Sequence, residues 1–223
     1  MYGFQIHMRQ RQAPQELIDR FGAIPVANIS DVMSRMTAGG SRLRPMHDGT
    51  PLAGVAVTVK ARPGDNLMIH HAMDIAGPGD VIVVDAGGDV TNSLIGEMMA
   101  AYAETRGISG FVLNGAIRDA AVIRAGRLPV FAAGVTHRGP YKDGPGEINC
   151  KISIDGMVVE PGDIIVGDDD GVLCIPLDGA EAVCQEAEAK SAQEGATRQA
   201  IAEGRLNREW VINTLRARGC IFP

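Results

Sequence analysis

No stretch of this 223-residue chain gathers lysine and arginine into a cluster, and the formal net charge is −6. Neutralising a phosphate backbone needs such clusters, so nucleic acid is not the expected partner. The four cysteines, Cys150, Cys174, Cys184 and Cys220, fall into no CxxC pair and no zinc-ligand spacing. They read as reduced thiols in a cytoplasmic protein. No run approaches the roughly 18 apolar residues of a membrane span. The opening "MYGFQIHMRQRQAPQE" lacks an apolar signal core, so no membrane partner is expected. Lysine is scarce as well: only Lys60, Lys142, Lys151 and Lys190 occur.

What is present is a core and many turns. Hydrophobic residues make up 45% of the chain, enough for one large domain or a domain with an appendage. The 28 glycines far exceed the roughly 7% average and call for tight turns. A short helix is expected over 14–21 and a second one after Ser30, a fair N-cap with Asp31 behind it. Four Val-rich runs follow, "GVAVTVKA" (54–61), "VIVVDAGG" (81–88), "FVLNG" (111–115) and "PVFAAG" (129–134). Between them "NLMIHHAMDIA", "SLIGEMMAAYAETRG" and "RDAAVIRAG" show helical spacing with glycine at the end, so the second predicts a helix over 93–106. Alternation of this kind predicts βαβ units on a parallel sheet. Residues 148–176 have no helical stretch and carry an Asp155-Gly156 hairpin signal, which predicts antiparallel strands. A long helix over 178–204 and a shorter one over 208–218 close the chain. The expected division is a single α/β core domain, 1–177, and a C-terminal helical extension, 178–223. Pro-Gly-Asp recurs at 63–65, 78–80 and 161–163 and reads as turns without chemistry.

If 81–86 and 111–115 are parallel neighbours, their carboxyl ends share one sheet edge, where ligands of open α/β sheets bind. Two strand-to-helix junctions then lie side by side: "DAGGDVTNSLIGEMM", with Gly87, Gly88, Gly96 and Glu97, and "NGAIRDA", with Arg118 and Asp119. Glycine-rich backbone opening a helix offers unpaired N–H groups to an anion. Glu97 and Asp119 are hard oxygen donors suited to magnesium, and Arg118 can clamp a carboxylate in bidentate fashion. A 2-oxo acid could span the two. Spacing alone leaves a second reading open, in which Asp119 merely favours the helix dipole and Arg118 is solvated.

The order Glu97, twenty intervening residues, Arg118-Asp119 goes with "GDNLMIHHAMDIAGPGDVIVVDAGG", "GFVLNGAIRDAAVI", "LPVFAAGVTHRG" and "EPGDIIVGDDDGVLCIP". Together they resemble the family of 4-hydroxy-4-methyl-2-oxoglutarate / 4-carboxy-4-hydroxy-2-oxoadipate aldolases and the regulator of ribonuclease E activity A, over about 30–220. The resemblance implies a swivelling-domain-like β/β/α sandwich with a mixed sheet, assembled as homotrimers or homohexamers on which the C-terminal extension packs. It implies a class II pyruvate aldolase using Mg2+ or Mn2+, able also to decarboxylate oxaloacetate. Asp119 would be the direct metal ligand and Glu97 would hold metal-bound water, although the family more often has Asp at that position. Arg118 would bind the pyruvate carboxylate, the amides of Gly96, Glu97, Met98 and Met99 its other end, and Asn66 is a further candidate. Glu194 would match a carboxylate supplied by a neighbouring subunit. The other reading the resemblance allows is a non-catalytic binding protein working through its outer surface.

A Schiff-base mechanism would need a lysine at the site, and none of the four falls at the predicted strand ends. His70 and His71 are adjacent on a helix, lack the HExxH spacing, and point to different faces; His70 is the one that could face a pocket. "DDDG" at 168–171 reads as a β-turn and His137 as a loop residue. Met68, Met98 and Met99 are expected in the core, and Cys150 and Cys174 in strands as inert small hydrophobes.

Overall fold

A computed structural model describes residues 3–222. The chain opens with β1 (Phe4–Ile6), α1 (Gln15–Gly22), α2 (Val26–Val32), β2 (Arg44–Pro45) and β3 (Leu52–Ala61). Helix and strand then alternate: α3 (Leu67–Ile75), β4 (Asp80–Asp85), β5 (Ser93–Ile95), α4 (Glu97–Thr105), β6 (Gly110–Ile117), α5 (Ala120–Ala125) and β7 (Val130–Val135). An all-β stretch follows, β8 (Gly146–Ile148), β9 (Ile152–Ile154), β10 (Met157–Val159), β11 (Ile164–Asp168) and β12 (Gly171–Ile175). α6 (Ala180–Ala202) and α7 (Glu209–Ala217) come last.

The main sheet runs β1-β8-β3-β4-β6-β7-β2, with β11 joining β3, β12 joining β11, and β5 beside the end of β6. Its centre, β3-β4-β6-β7, is parallel, while β8 and β11 pair antiparallel with β3, so the sheet is mixed. The chain is therefore an α/β protein. All six residues of β4 are buried, with Ile82 and Val84 in the core under α3 and α4. Val81 and Val83 face the opposite way, toward the β9-β10 hairpin residues Ile154, Met157 and Val159. A strand covered on both faces has no reason to alternate, which explains the unbroken "VIVV" run. A third core joins α1, α2 and the start of α6 to β11 and β12. Among the described residues, no helix is long and apolar enough to cross a membrane.

The chain forms two compact units, Met1–Ala187 and Glu188–Pro223. The second consists of the remainder of α6 and α7, with Trp210, Ile212 and Leu215 of α7 exposed.

Several elements differ from expectation. α2 starts at Val26, because Pro25 in extended geometry sits at its N-cap and needs no donor, so Ser30 lies inside the helix. The helix expected over 93–106 begins only at Glu97. Ser93 and Ile95 pair with Ala116 and Ile117 of β6, which holds the start of that segment extended. Cys150 lies just beyond β8 rather than within a strand. β1, β2 and β8 are too short to leave a pattern in the sequence. The three Pro-Gly-Asp segments are turns whose middle glycines, Gly64, Gly79 and Gly162, all have left-handed φ (74°, 86° and 94°).

Gly54 of β3 lies where neighbouring backbone crosses close by. A Cβ there would sit 2.4 Å from the Gly79 carbonyl oxygen, which already accepts a hydrogen bond from Val55 N–H at 3.0 Å. Gly54→Ala should lower stability by about 1–3 kcal/mol through overpacking, with little change in the far-ultraviolet spectrum. An unchanged urea midpoint would contradict this packing.

Candidate active site

The site is built where β5 and β6 end together. Gly96 follows β5 in extended conformation (φ −145°, ψ −167°) and stands at the N-cap of α4. Across from it, Arg118 N–H donates to the Ile95 carbonyl at 3.0 Å, prolonging the pairing of the two strands by one residue. Asp119 comes next, and it precedes α5 rather than forming its first turn. Its backbone is left-handed (φ 54°, ψ 36°), a conformation that costs a non-glycine residue about 1–3 kcal/mol unless its surroundings hold it. Aspartate tolerates that region better than most residues.

The contact that holds it is visible. Asp119 Oδ2 accepts a hydrogen bond from Glu97 N–H at 3.0 Å and lies 3.5 Å from Arg118 Nε. Among the described residues Oδ1 has no partner. A Cβ on Gly96 would stand 2.4 Å from Asp119 Oδ2 and 2.9 Å from Arg118 Cγ, so only glycine lets the two junctions close on each other. The Glu97 backbone, rather than its carboxylate, makes this contact. Glu97, an exposed residue, also borders a groove between α4 and α5, with Ala101 and Val122.

Beside the junction lies a cleft of about 420 Å³. One side is formed by Gly96, Met98, Met99 and Arg118, and its floor by Asn66. Asn66 is almost fully buried. Its Nδ2 donates to the Leu94 carbonyl at 2.9 Å and approaches Met99 Sδ at 3.4 Å, while Oδ1 is buried with no partner. An orphaned amide oxygen at a cleft wall is a place for a ligand donor. Of the four amides expected to meet a ligand, Glu97 N–H goes to Asp119 and Met99 N–H to the Gly96 carbonyl. Met98 N–H has no acceptor among the described residues. Met98 itself is 75% exposed, not core, because it stands one position round the helix from buried Met99.

The opposite wall overturns one expectation. Gly139, Pro140 and Lys142 close the cleft together with His70 of α3, so a lysine does stand at the site. It comes from the loop between β7 and β8, a segment with no periodicity to place it. Burial first, and the Lys142 cation second, push the His70 imidazole below its usual range, against the opposing field of Asp74. His71 is exposed, 4.0 Å from Asp74, and His137 is exposed on its loop. Asp168 accepts from Asp170 N–H and from Val26 N–H, as a turn residue does.

Among the described residues no three histidine, cysteine, aspartate or glutamate side chains converge on a point. That rules out a closed zinc-type cage among them. Asp119 Oδ1, without a partner among the described residues, is a suitable donor to a hard cation whose remaining ligands would be water and ligand oxygens. Glu194 lies in the second unit, on α6, 3.5 Å from Lys190.

Residues 26–174 match the RraA-like family, described as Aldolase/RraA. A protein of Halalkalibacterium halodurans named "Putative 4-hydroxy-4-methyl-2-oxoglutarate aldolase" is 42% identical over 192 residues, covering 86% of this chain and 91% of that one. Among solved structures, an uncharacterized protein from Pseudomonas syringae pv. tomato superposes with a TM-score of 0.77 at 25% identity, covering 86% of this chain and 95% of the other. The RNA-processing inhibitor RraA from Thermus thermophilis superposes with a TM-score of 0.63 at 28% identity, covering 68% and 92%.

The His70 environment is directly measurable. Its NMR titration midpoint should fall below the ordinary 6.5 or so, so that the ring is mostly neutral at pH 7. Lys142→Met should raise that midpoint without restoring it fully, since burial remains. A midpoint indifferent to Lys142 would place the lysine away from the imidazole.

Proposed function

The chain belongs to the RraA-like, Aldolase/RraA family, and on that premise we propose that it is an aldolase, a carbon–carbon lyase releasing pyruvate. Its substrate is a 4-hydroxy-2-oxo di- or tricarboxylic acid such as 4-hydroxy-4-methyl-2-oxoglutarate or 4-carboxy-4-hydroxy-2-oxoadipate. The observation that carries this reading is the Asp119–Arg118 pair, locked by the Glu97 amide at the edge of a cleft.

Cleavage breaks the C3–C4 bond. The electron pair stays on C3 and spreads onto the 2-oxo oxygen, while the C4 hydroxyl gives its proton to water as a new carbonyl forms, and a proton returned from water to C3 completes pyruvate. Asp119 would hold a divalent cation directly, and Glu97 is the candidate to hold water of that ion. Bound magnesium or manganese supplies Lewis-acid stabilisation of the charge on the 2-oxo oxygen. Arg118 clamps the C1 carboxylate, and its fixed planar fork steadies the adjacent charge as well. Met98 N–H donates to the pyruvate unit, and Asn66 Oδ1 is an acceptor for the substrate hydroxyl. Decarboxylation of oxaloacetate puts the same electron pair on the same carbon, so it is a side activity of the same site.

A purely surface-acting regulator has no use for a strained aspartate beside an arginine at a cleft, which favours the catalytic reading. The assembly belongs to the proposal: a homotrimer or a dimer of trimers, in which Glu194 of a neighbouring subunit completes the site. A monomer mass in light scattering would contradict that part.

Pyruvate release from oxaloacetate should require Mg2+ or Mn2+ and stop in EDTA. Arg118→Lys should lower kcat at least roughly tenfold, about 1.4 kcal/mol of barrier, because an ammonium cannot reproduce the bidentate clamp. Full turnover in EDTA would end the metal-dependent reading. A change confined to KM would leave Arg118 a binding role alone.

A further inference from the structure

Lys142 is an exposed lysine on a loop, ordinarily a solvated side chain with no role. The backbone around it is not ordinary. Asp65, 1% exposed, lies behind it. One carboxylate oxygen, Oδ2, accepts from Asp143 N–H at 2.8 Å and Gly144 N–H at 2.9 Å, with Arg62 Nη2 3.2 Å away. The other accepts from Leu67 N–H at 3.0 Å. On the near side, Asn66 N–H donates to the Tyr141 carbonyl at 3.0 Å and Tyr141 N–H to the Gly64 carbonyl at 2.8 Å. The Arg62 guanidinium lies 5.6 Å from the centre of the Tyr141 ring. Residues 141, 143 and 144 are thus tied to the turn that carries Asn66, and Lys142 between them has its Cα fixed. Its ammonium makes no hydrogen bond or ion pair among the described residues.

Arg118 stands at the other end of this wall. A Cβ on Gly139 would lie 3.5 Å from Arg118 Nη1, and three residues of chain span at most about 11 Å. One cleft therefore carries two cations, one at each end of a short loop segment. Among the described residues no carboxylate side chain lines it; Asp119 stands next to Arg118 at its edge. A monocarboxylate would satisfy Arg118 and leave the Lys142 end vacant, whereas a diacid meets both.

Resting on the aldolase reading of the same cleft, we propose that Lys142 is a specificity-determining residue. It binds the second carboxylate of the substrate, and Asp65 is the positioning residue that seats it. His70, which lines the same cleft as Lys142, offers a ring nitrogen to the same carboxylate. Lysine suits this end because a point charge on a flexible stem accepts second carboxylates of varied geometry, while the fixed fork of Arg118 reads the constant pyruvate end.

Calorimetric titration separates the two ends. The probes are pyruvate, with one carboxylate, and 2-oxoglutarate, with two and no cleavable C4 hydroxyl, each in the presence of Mg2+. Lys142→Met should weaken 2-oxoglutarate about tenfold, the scale of one charge-assisted hydrogen bond, and change pyruvate affinity less than about twofold. Lys142→Arg should keep most of the preference for the diacid. Asp65→Asn, if folded by its thermal transition, should erode that same preference and spare pyruvate. Equal losses for both acids, or none for either, would overturn the assignment. Discrimination by Lys142 in a protein that never turns over oxaloacetate would sink the aldolase reading and leave this one standing. Turnover with no discrimination would do the reverse, and a wild-type protein that binds neither acid would overturn both.

Discussion

Everything at the candidate site depends on one hydrogen bond between two chain segments, Glu97 N–H to Asp119 Oδ2 at 3.0 Å. It joins the start of α4 to the residue before α5, and it occupies the amide that a free helix N-terminus would leave open. The same carboxylate lies near Arg118 Nε, so a single group fixes a left-handed backbone, a helix start and a guanidinium. Gly96 makes the approach possible, because any side chain there would occupy the place of the carboxylate oxygen. The strain at Asp119 is sustained by this closure, and the second carboxylate oxygen has no partner among the described residues.

The scaffold beneath uses a related device. In each Pro-Gly-Asp turn a left-handed glycine turns the chain and a buried aspartate collects backbone N–H groups. Asp80 accepts from Gly77 and pairs with Arg9; Asp163 accepts from Glu160 and Leu177; Asp65 accepts from Leu67, Asp143 and Gly144. Buried carboxylates survive only when so satisfied. One of the three turns leads into central β4, a second into β11, and the third holds the loop that walls the cleft.

The alternating half of the fold was legible because buried parallel strands leave unbroken Val-rich runs and the helices between them keep their period. The juxtaposition of Gly96, Glu97, Arg118 and Asp119 was legible for the same reason: parallel neighbours put their ends on one edge. Local geometry was not. The helical pattern through Ser93–Ile95 concealed a strand that exists only by pairing with β6, and helix-start chemistry at Asp119 concealed a left-handed residue. Lys142 was missed because its position depends on hydrogen bonds to Asp65, roughly eighty residues earlier in sequence, and loops carry no period to follow. The recurring Pro-Gly-Asp was the available signal, read as a turn and not as an anchor. The Glu97 amide was read as a ligand donor, whereas it is already taken by Asp119 Oδ2.

We propose Asp119, held by the Glu97 amide, as the metal-binding carboxylate beside this cleft. Water-proton relaxation with Mn2+ tests it without reference to turnover. The wild-type protein should bind Mn2+, with affinity rising when pyruvate is added, and Asp119→Asn should lose most of that binding while keeping its thermal unfolding transition. A folded Asp119→Asn protein that binds Mn2+ as tightly as the wild type, with the same response to pyruvate, would contradict the account.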